Sequence, residues 1–257
     1  MPNRSLRILS PIKAAESGPT PPFSASNSIL FDGIDENLQT SLASEFDFDG
    51  SLPFSISIWI KPITDSDVWM AKRNNVNHGW ALPFFSQQPR FQMIDTGGGQ
   101  LAIGTSASIT LNDWHHVVFT YDGSKSSSGA LIYVDGSLVA LTNFSDTFTG
   151  TMSNSDTVKI GSDRMSSFTD GNIADLSIWN IELNSSQVTS LYNSGTLVDL
   201  RLFEFYNTTD AEGWWWMGDF PGDSTAGGGS IGDATTNGHT LTPQNMEAGD
   251  IVADVPS

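Results

Sequence analysis

Three carboxylates stand at alternate positions in EFDFDG, residues 45–50: Glu45, Asp47 and Asp49. On an extended strand all three would point to one side. Such a row suits glycoside hydrolysis, where a retaining enzyme holds two carboxyl groups about 5–5.5 Å apart. Here the last member is Asp49, one methylene shorter than glutamate, and Gly50 and Pro53 follow it. Those residues end a strand rather than carry it across a cleft. The segment is expected to be an acidic loop, and no catalytic residue is assigned. Asp32 and Asp35 in FDGIDE are candidate oxygen ligands for a structural calcium ion; no other cofactor and no assigned metal ligand set is expected. His115 and His116 are neighbours that point apart on a strand, and no third histidine lies nearby, so a zinc site is not expected. Lys72-Arg73 lacks a glycine frame, and Gly97-Gly98-Gly99 sits between strand-like runs. Neither reads as a phosphate loop.

The elements that must position these groups are strands. FSISIWI (54–60), HHVVFTY (115–121), ALIYVDG (130–136) and IADLSIW (173–179) alternate with period two. Phe54, Ile56, Ile58 and Ile60 face one way, while Ser55, Ser57 and Trp59 face the other, as in a sheet buried on one face and partly covered on the second. Turn signals separate the runs at 97–99, 122–124, 135–137 and 169–172. This spacing predicts an all-β, antiparallel two-sheet sandwich. Trp59, Trp114 and Trp179 adjoin strand text and are expected in the core or at sheet ends. Tyr133 precedes the Asp135-Gly136 pair, whose residues can take the positive φ values of a tight hairpin. One short helix is expected within 183–195, capped near Asn184 to Ser186 and ended by Gly195.

The 257 residues carry 11 Lys and Arg against 29 Asp and Glu, a net charge of -18. That balance repels phosphate backbones and anionic membranes, so nucleic acid is not an expected partner. Without cysteine there is no disulfide or thiolate metal site, which is compatible with synthesis in a reducing cytoplasm. Pro2, Arg7 and Pro11 interrupt the N-terminal apolar run, so no signal peptide is expected, and no stretch reaches the length of a membrane span. Residues 1–22, with five prolines, read as an extended arm. Its Arg4 and Arg7 can strap onto an acidic neighbouring subunit. Residues 23–202 read as the sandwich. Residues 203–257 form an acidic segment rich in Trp and Gly, without Lys or Arg, that completes the sandwich or docks on it. Trp214, Trp215 and Trp216 alternate faces if extended, so at least one is expected to point away from the core and to serve an interface.

The stretches SILFDGIDENL, FSISIWIKP, NDWHHVVFTYDGS, LIYVDGSLVA, VKIGSD and GNIADLSIWNIELNSSQVTSLYNSG, taken in order, resemble the laminin-G-like, concanavalin-A-like jelly roll over roughly residues 27–195. That resemblance implies a lectin-like sandwich with extended terminal segments. In β-glucanases of similar fold a Glu-x-Asp-x-Glu strand is catalytic, whereas EFDFD falls where laminin-G-like domains have a variable loop. Relatives place a calcium-binding Asp after the Ile of the last strand; here Ala174 holds that position and Asp175 the next. GWWWMGD followed by NMEAGDIVADVP resembles laminin-G-like proteins carried on virions of marine tailed phages. The expected function is therefore a non-enzymatic virion structural protein, a capsid decoration or tail or fibre component adhering to other virion proteins and to copies of itself. A carbohydrate-binding lectin-like module for a host-surface glycan is the alternative, with rim loops near 70–80 as its site. A β-glucanase is the weakest reading.

Overall fold

In this computed structural model the described residues are 21–41, 44–65, 67–74, 77–163 and 167–257. Alternation folds the middle of the chain: Phe54, Ile56, Ile58 and Ile60 turn from strand Phe54–Pro62 into a shared interior, with at most 1% of each exposed. Facing them are Trp80, Leu82 and Phe84 of Gly79–Phe85, Phe91 and Met93 of Gln88–Ile94, and Leu101 and Ile103 of Gln100–Thr105. Each such side chain contributes roughly 1.5–3 kcal/mol relative to exposure. The result is the expected antiparallel sandwich of two eight-stranded sheets.

The first sheet runs in the order Ser137–Leu138, Ala130–Val134, His115–Tyr121, Phe54–Pro62, Asp170–Trp179, Ser28–Asp32 and Ile251–Val252. Its central strand, Asp170–Trp179, has two partners in tandem on one side. Ser28–Asp32 pairs with residues 170–173, and Ala211–Trp215 pairs with residues 176–179. Between them lies Asp175, skipped in the register with Phe54–Pro62 and held at φ 37°, a β-bulge. The second sheet runs Leu141–Asp146, Gln100–Thr105, Gln88–Ile94, Gly79–Phe85, Asp67–Arg73, Lys159–Ile160, Asn37–Thr40 and Leu241–Gln244. Residues beyond 203 thus contribute strands to both sheets.

A second apolar layer covers the outer face of the first sheet. It joins Val118, Tyr133 and Trp179 to Val188 and Leu191 of helix Ser185–Tyr192, to Leu200, and to Trp214 and Trp216. Asn184 caps the helix, accepting from the backbone N–H groups of Ser186 and Gln187, while the Gln187 side chain returns to the Asn184 N–H. Asn193, at φ 46°, ends it two residues before the expected Gly195. Asp135 and Gly136 take φ values of 50° and 75°, as the hairpin required, and the turn rests on the helix: a Cβ at Gly136 would lie 2.8 Å from Tyr192 Cδ1. Trp59, Tyr133 and Trp179 are buried as core residues. Trp59 packs on the rings of His116 and Tyr192.

One expectation is corrected here and another narrowed. Trp214, Trp215 and Trp216 are 0%, 0% and 1% exposed, so none serves an interface in this fold. They do alternate, with Trp215 in the inter-sheet core and its neighbours in the outer layer, but both sides of the sheet are dry there. Trp114 is only half-buried, so it is not core; it stands at the sheet end, one residue before strand His115–Tyr121. Its Nε1–H donates to Asp254 Oδ1 at 2.9 Å, and Lys61 Nζ donates to the other oxygen at 2.8 Å, so it tethers the C-terminal segment rather than filling the core. Arg4 and Arg7, with most of the arm, lie outside the described residues.

Candidate functional site

The carboxylates of EFDFDG do not converge. Residues 44–46 form a turn, with Phe46 at φ 54°, and each acid has its own partner. Glu45 Oε1 meets His239 Nδ1 at 3.0 Å. Asp47 accepts from the Asn154 backbone N–H at 2.9 Å and lies 3.7 Å from Lys72 Nζ. Asp49 accepts from the backbone and hydroxyl of Ser51, both at 2.7 Å, which hold its carboxyl below the usual range. The segment is an acidic loop that fastens neighbouring pieces, as its composition suggested.

Other singled-out residues are also structural. Asp32 accepts from the Ile34 backbone N–H within its own turn, and Glu36 Oε2 accepts from the Asp32 N–H. Burial pushes the Glu36 carboxyl up to about 7. Among the described residues no group of three or more His, Cys, Asp or Glu side chains is placed to hold a metal ion. Asp175 accepts from Trp214 Nε1–H at 2.5 Å, and burial still raises it to about 7. His116 is fully enclosed beside Ser57 Oγ, and burial lowers it to about 3, so the ring is neutral. The glycines at 97–99 wrap Asp95, which accepts from the N–H groups of Gly97, Gly99, Thr149 and Gly150. Burial opposes its charge, yet the four donors together bring it down to about 2. In the 70–80 stretch Lys72 and Arg73 are buried, and Asn74 and His78 close a short turn: the Asn74 N–H donates to the His78 carbonyl, and the His78 N–H donates to Asn74 Oδ1.

The feature with unspent chemistry is on the outer face of the second sheet. Arg90 and Gln92 of Gln88–Ile94 point outward opposite Phe91 and Met93, and Gln100, Ala102 and Gly104 do the same on Gln100–Thr105. Phe85 and Phe144 rise at the sides, 38% and 48% exposed. The Arg90 guanidinium carbon lies 4.5 Å from the Phe144 ring centre and 5.4 Å from that of Phe85. This cation–π stacking fixes the charge between two rings. Among the described residues Arg90 has no carboxylate partner; its Nη2 reaches only the Phe85 carbonyl, at 3.4 Å. Gly104 provides the floor, since a Cβ there would meet Arg90 Cγ at 2.9 Å and Phe144 Cε2 at 3.0 Å. Gln92 donates to Gln100 Oε1 at 3.2 Å and accepts from Arg73 Nη2 at 2.5 Å, and Arg73 Nη1 reaches Asp163 at 3.3 Å. The groove encloses about 220 Å³ and has no acidic residue in its lining, on a chain with 29 acids. Apolar ring faces beside planar amide and guanidinium groups suit a ligand with one apolar face and a rim of hydroxyls.

Sequence reasoning missed this groove. The signal was present in QPRFQMI and QLAIGT, where polar or small residues alternate with core residues. Nothing in the sequence said that this outer face would stay open while the other was covered.

Residues 32–189 match the family model Laminin_G_3, described as Concanavalin A-like lectin/glucanases superfamily. Among solved structures, the chain is similar to a candidate carbohydrate binding protein from Bacteroides ovatus, with TM-score 0.59 and 17% identity over 91% of this chain. The match spans 62% of that protein's length. It is similar as well to a heptameric SAP-like pentraxin from Limulus polyphemus, with TM-score 0.52 and 17% identity, covering 76% of this chain and 90% of the other. A search of curated proteins finds no match.

Proposed function

The chain belongs to the Concanavalin A-like lectin/glucanases superfamily, and from that membership we propose that it is a non-enzymatic carbohydrate-binding module. The observation that carries the reading is the open groove in which Phe85 and Phe144 flank an arginine that has no carboxylate partner among the described residues. A sugar ring lays its C–H face on a phenyl ring while Arg90, Gln92 and Gln100 exchange hydrogen bonds with its hydroxyls. The likeness to the Bacteroides ovatus protein supports the ligand class. The separation of Glu45, Asp47 and Asp49 onto different partners supports binding without bond cleavage. The test is a glycan array with the intact protein, followed by Phe144→Ala and Arg90→Ala on the best ligand. Affinity should fall at least about tenfold in each, the size of one lost anchor. Retention of no glycan, equal binding by both variants, or reducing-sugar release abolished in Glu45→Gln would each remove the proposal.

Display on a phage particle is the second reading, supported by one feature. Ser28 pairs with Val252 at the edge of the first sheet, so the first described strand and the last are neighbours, an arrangement that suits anchoring to virion proteins or to copies of the chain. Copurification with assembled particles tests it.

A further inference from the structure

The same outer face holds another concavity at its opposite end, of about 580 Å³, between strands Asn37–Thr40, Lys159–Ile160 and Leu241–Gln244. Its polar lining includes Asp35, Asn37, Gln39, Lys159 and Gln244, and Ile34, 70% exposed, with Phe168 supplies apolar surface. Asn37 is 7% exposed, and its Oδ1 is buried with no hydrogen-bond partner. An unsatisfied acceptor is costly, and a ligand donor that reached it would remove that cost. The Lys159 side chain makes no ion pair or hydrogen bond among the described residues, and the Gln39 side chain uses only its Oε1, which accepts from Thr157 Oγ1 at 3.4 Å. The Gln39 amide N–H₂ and the Lys159 ammonium are donors, and Asn37 Oδ1 is an acceptor. Donors and acceptors this close match the adjacent hydroxyls of a saccharide, each of which both gives and takes a hydrogen bond.

We infer that this concavity is a second saccharide-binding site, separate from the Arg90 groove and facing the same way. The inference rests on the carbohydrate-binding reading. One cross-strand row joins the two sites: Gln39, Lys159, Ala71, Ala81, Gln92 and Ala102 are successive partners. From Lys159 to Gln92 is three strand steps, about 14 Å at the usual strand spacing. The hairpin of Ser162–Asp163 and Ser167–Phe168 stands between them, with Phe168 walling the second site and Asp163 holding Arg73 beside the first. Two sites on one face let one polysaccharide occupy both, or two chains be bridged, so attachment to a polymer exceeds attachment to a short sugar by effective concentration.

The test is native electrophoresis of the intact protein through gels containing mixed-linkage β-glucan, xylan or alginate, with turbidity as a readout of bridging. The variants are Gln39→Ala with Lys159→Ala, and Phe144→Ala. Wild type should be retarded by at least one polymer and should cloud its solution. Each variant should lose at least about tenfold in apparent affinity for the polymer and should cease to cloud it. A Gln39/Lys159 variant that migrates and clouds like wild type, while Phe144→Ala migrates freely, would overturn the second site and leave the reading standing. Migration of wild type unaffected by all three polymers would overturn both. If the double variant melts earlier than wild type, Gln39→Leu, which removes the amide donor while keeping a side chain of similar bulk, takes its place with the same expected losses.

Discussion

The two sheets bury their inner faces alike and treat their outer faces in opposite ways. Outside the first sheet, Trp179, Trp214 and Trp216 pack with Phe23, Tyr206 and Phe220 under a helix and the segment after residue 203. Outside the second sheet, Phe85 and Phe144 stand in solvent against one arginine. Aromatic content therefore says little about role until it is known which face the rest of the chain covers. On the covered face an aromatic residue is part of stability. On the open face it is free to meet a ligand.

The contrast is sharpest in a pair of truncations. Trp214→Ala removes a fully buried ring and the N–H that serves the Asp175 carboxyl, so denaturant unfolding should register a loss of about 3–5 kcal/mol. A loss under about 1 kcal/mol would mean that the outer layer is decoration rather than core. Next in size is Asp175→Asn. The wild-type carboxyl holds its proton up to about 7 in the fold and releases it near 3.8 when unfolded, so its contribution to stability falls as pH rises from about 4 to about 7 and is flat above. The amide cannot ionise and keeps an oxygen for Trp214, so the variant should gain on wild type across that window, by up to about 4 kcal/mol if the whole shift is expressed. Glu36 and Asp223 are also raised, hence the difference between the two proteins is the quantity to measure. Parallel curves would show that the carboxyl is solvated.

A smaller effect is expected at His239, which joins the acidic loop to the C-terminal segment. Its Nδ1 faces Glu45 at 3.0 Å and its Nε2 faces Glu212 at 3.2 Å. Burial works against the charged ring, and the two carboxylates outweigh it and raise its titration point. The contribution is complete below the unfolded value of 6.5 and is lost as pH rises through the folded one. His239→Gln should therefore cost about 1 kcal/mol or less at pH 5.5 and little at pH 9. A cost that grows with pH would reverse the assignment. Least of all is Phe144→Ala, which should leave unfolding within about 0.5 kcal/mol of wild type while sugar binding drops. A large loss of stability there would erase the distinction between the faces.

The fold was legible because its signals are local. FSISIWI states which side of a strand is wet, and Asp135-Gly136 states where a hairpin turns. The helix cap at Asn184 was readable for the same reason, and the terminus at Asn193 was missed by two residues because asparagine, whose short polar side chain bonds locally, also visits the left-handed conformation that glycine favours. The Trp triplet was misjudged because alternation reports that neighbours face opposite ways, not that one way is wet. What decides that is a covering layer assembled from residues 23, 179, 188–206 and 220, distant in sequence. The groove was invisible by the same logic, since Arg90 meets Phe144 only across a strand pair and a bulge between Asn143 and Ser145.

The tandem arrangement beside Asp170–Trp179 bears on how the protein is made. A ribosome releases residues 176–179 with their second edge unpaired until Ala211–Trp215 has followed, and the outermost strand, Ile251–Val252, emerges later still. Closure of the first sheet thus waits until residues 211–252 have been made, and a nascent chain stalled before residue 211 would offer that bare edge to any other chain nearby.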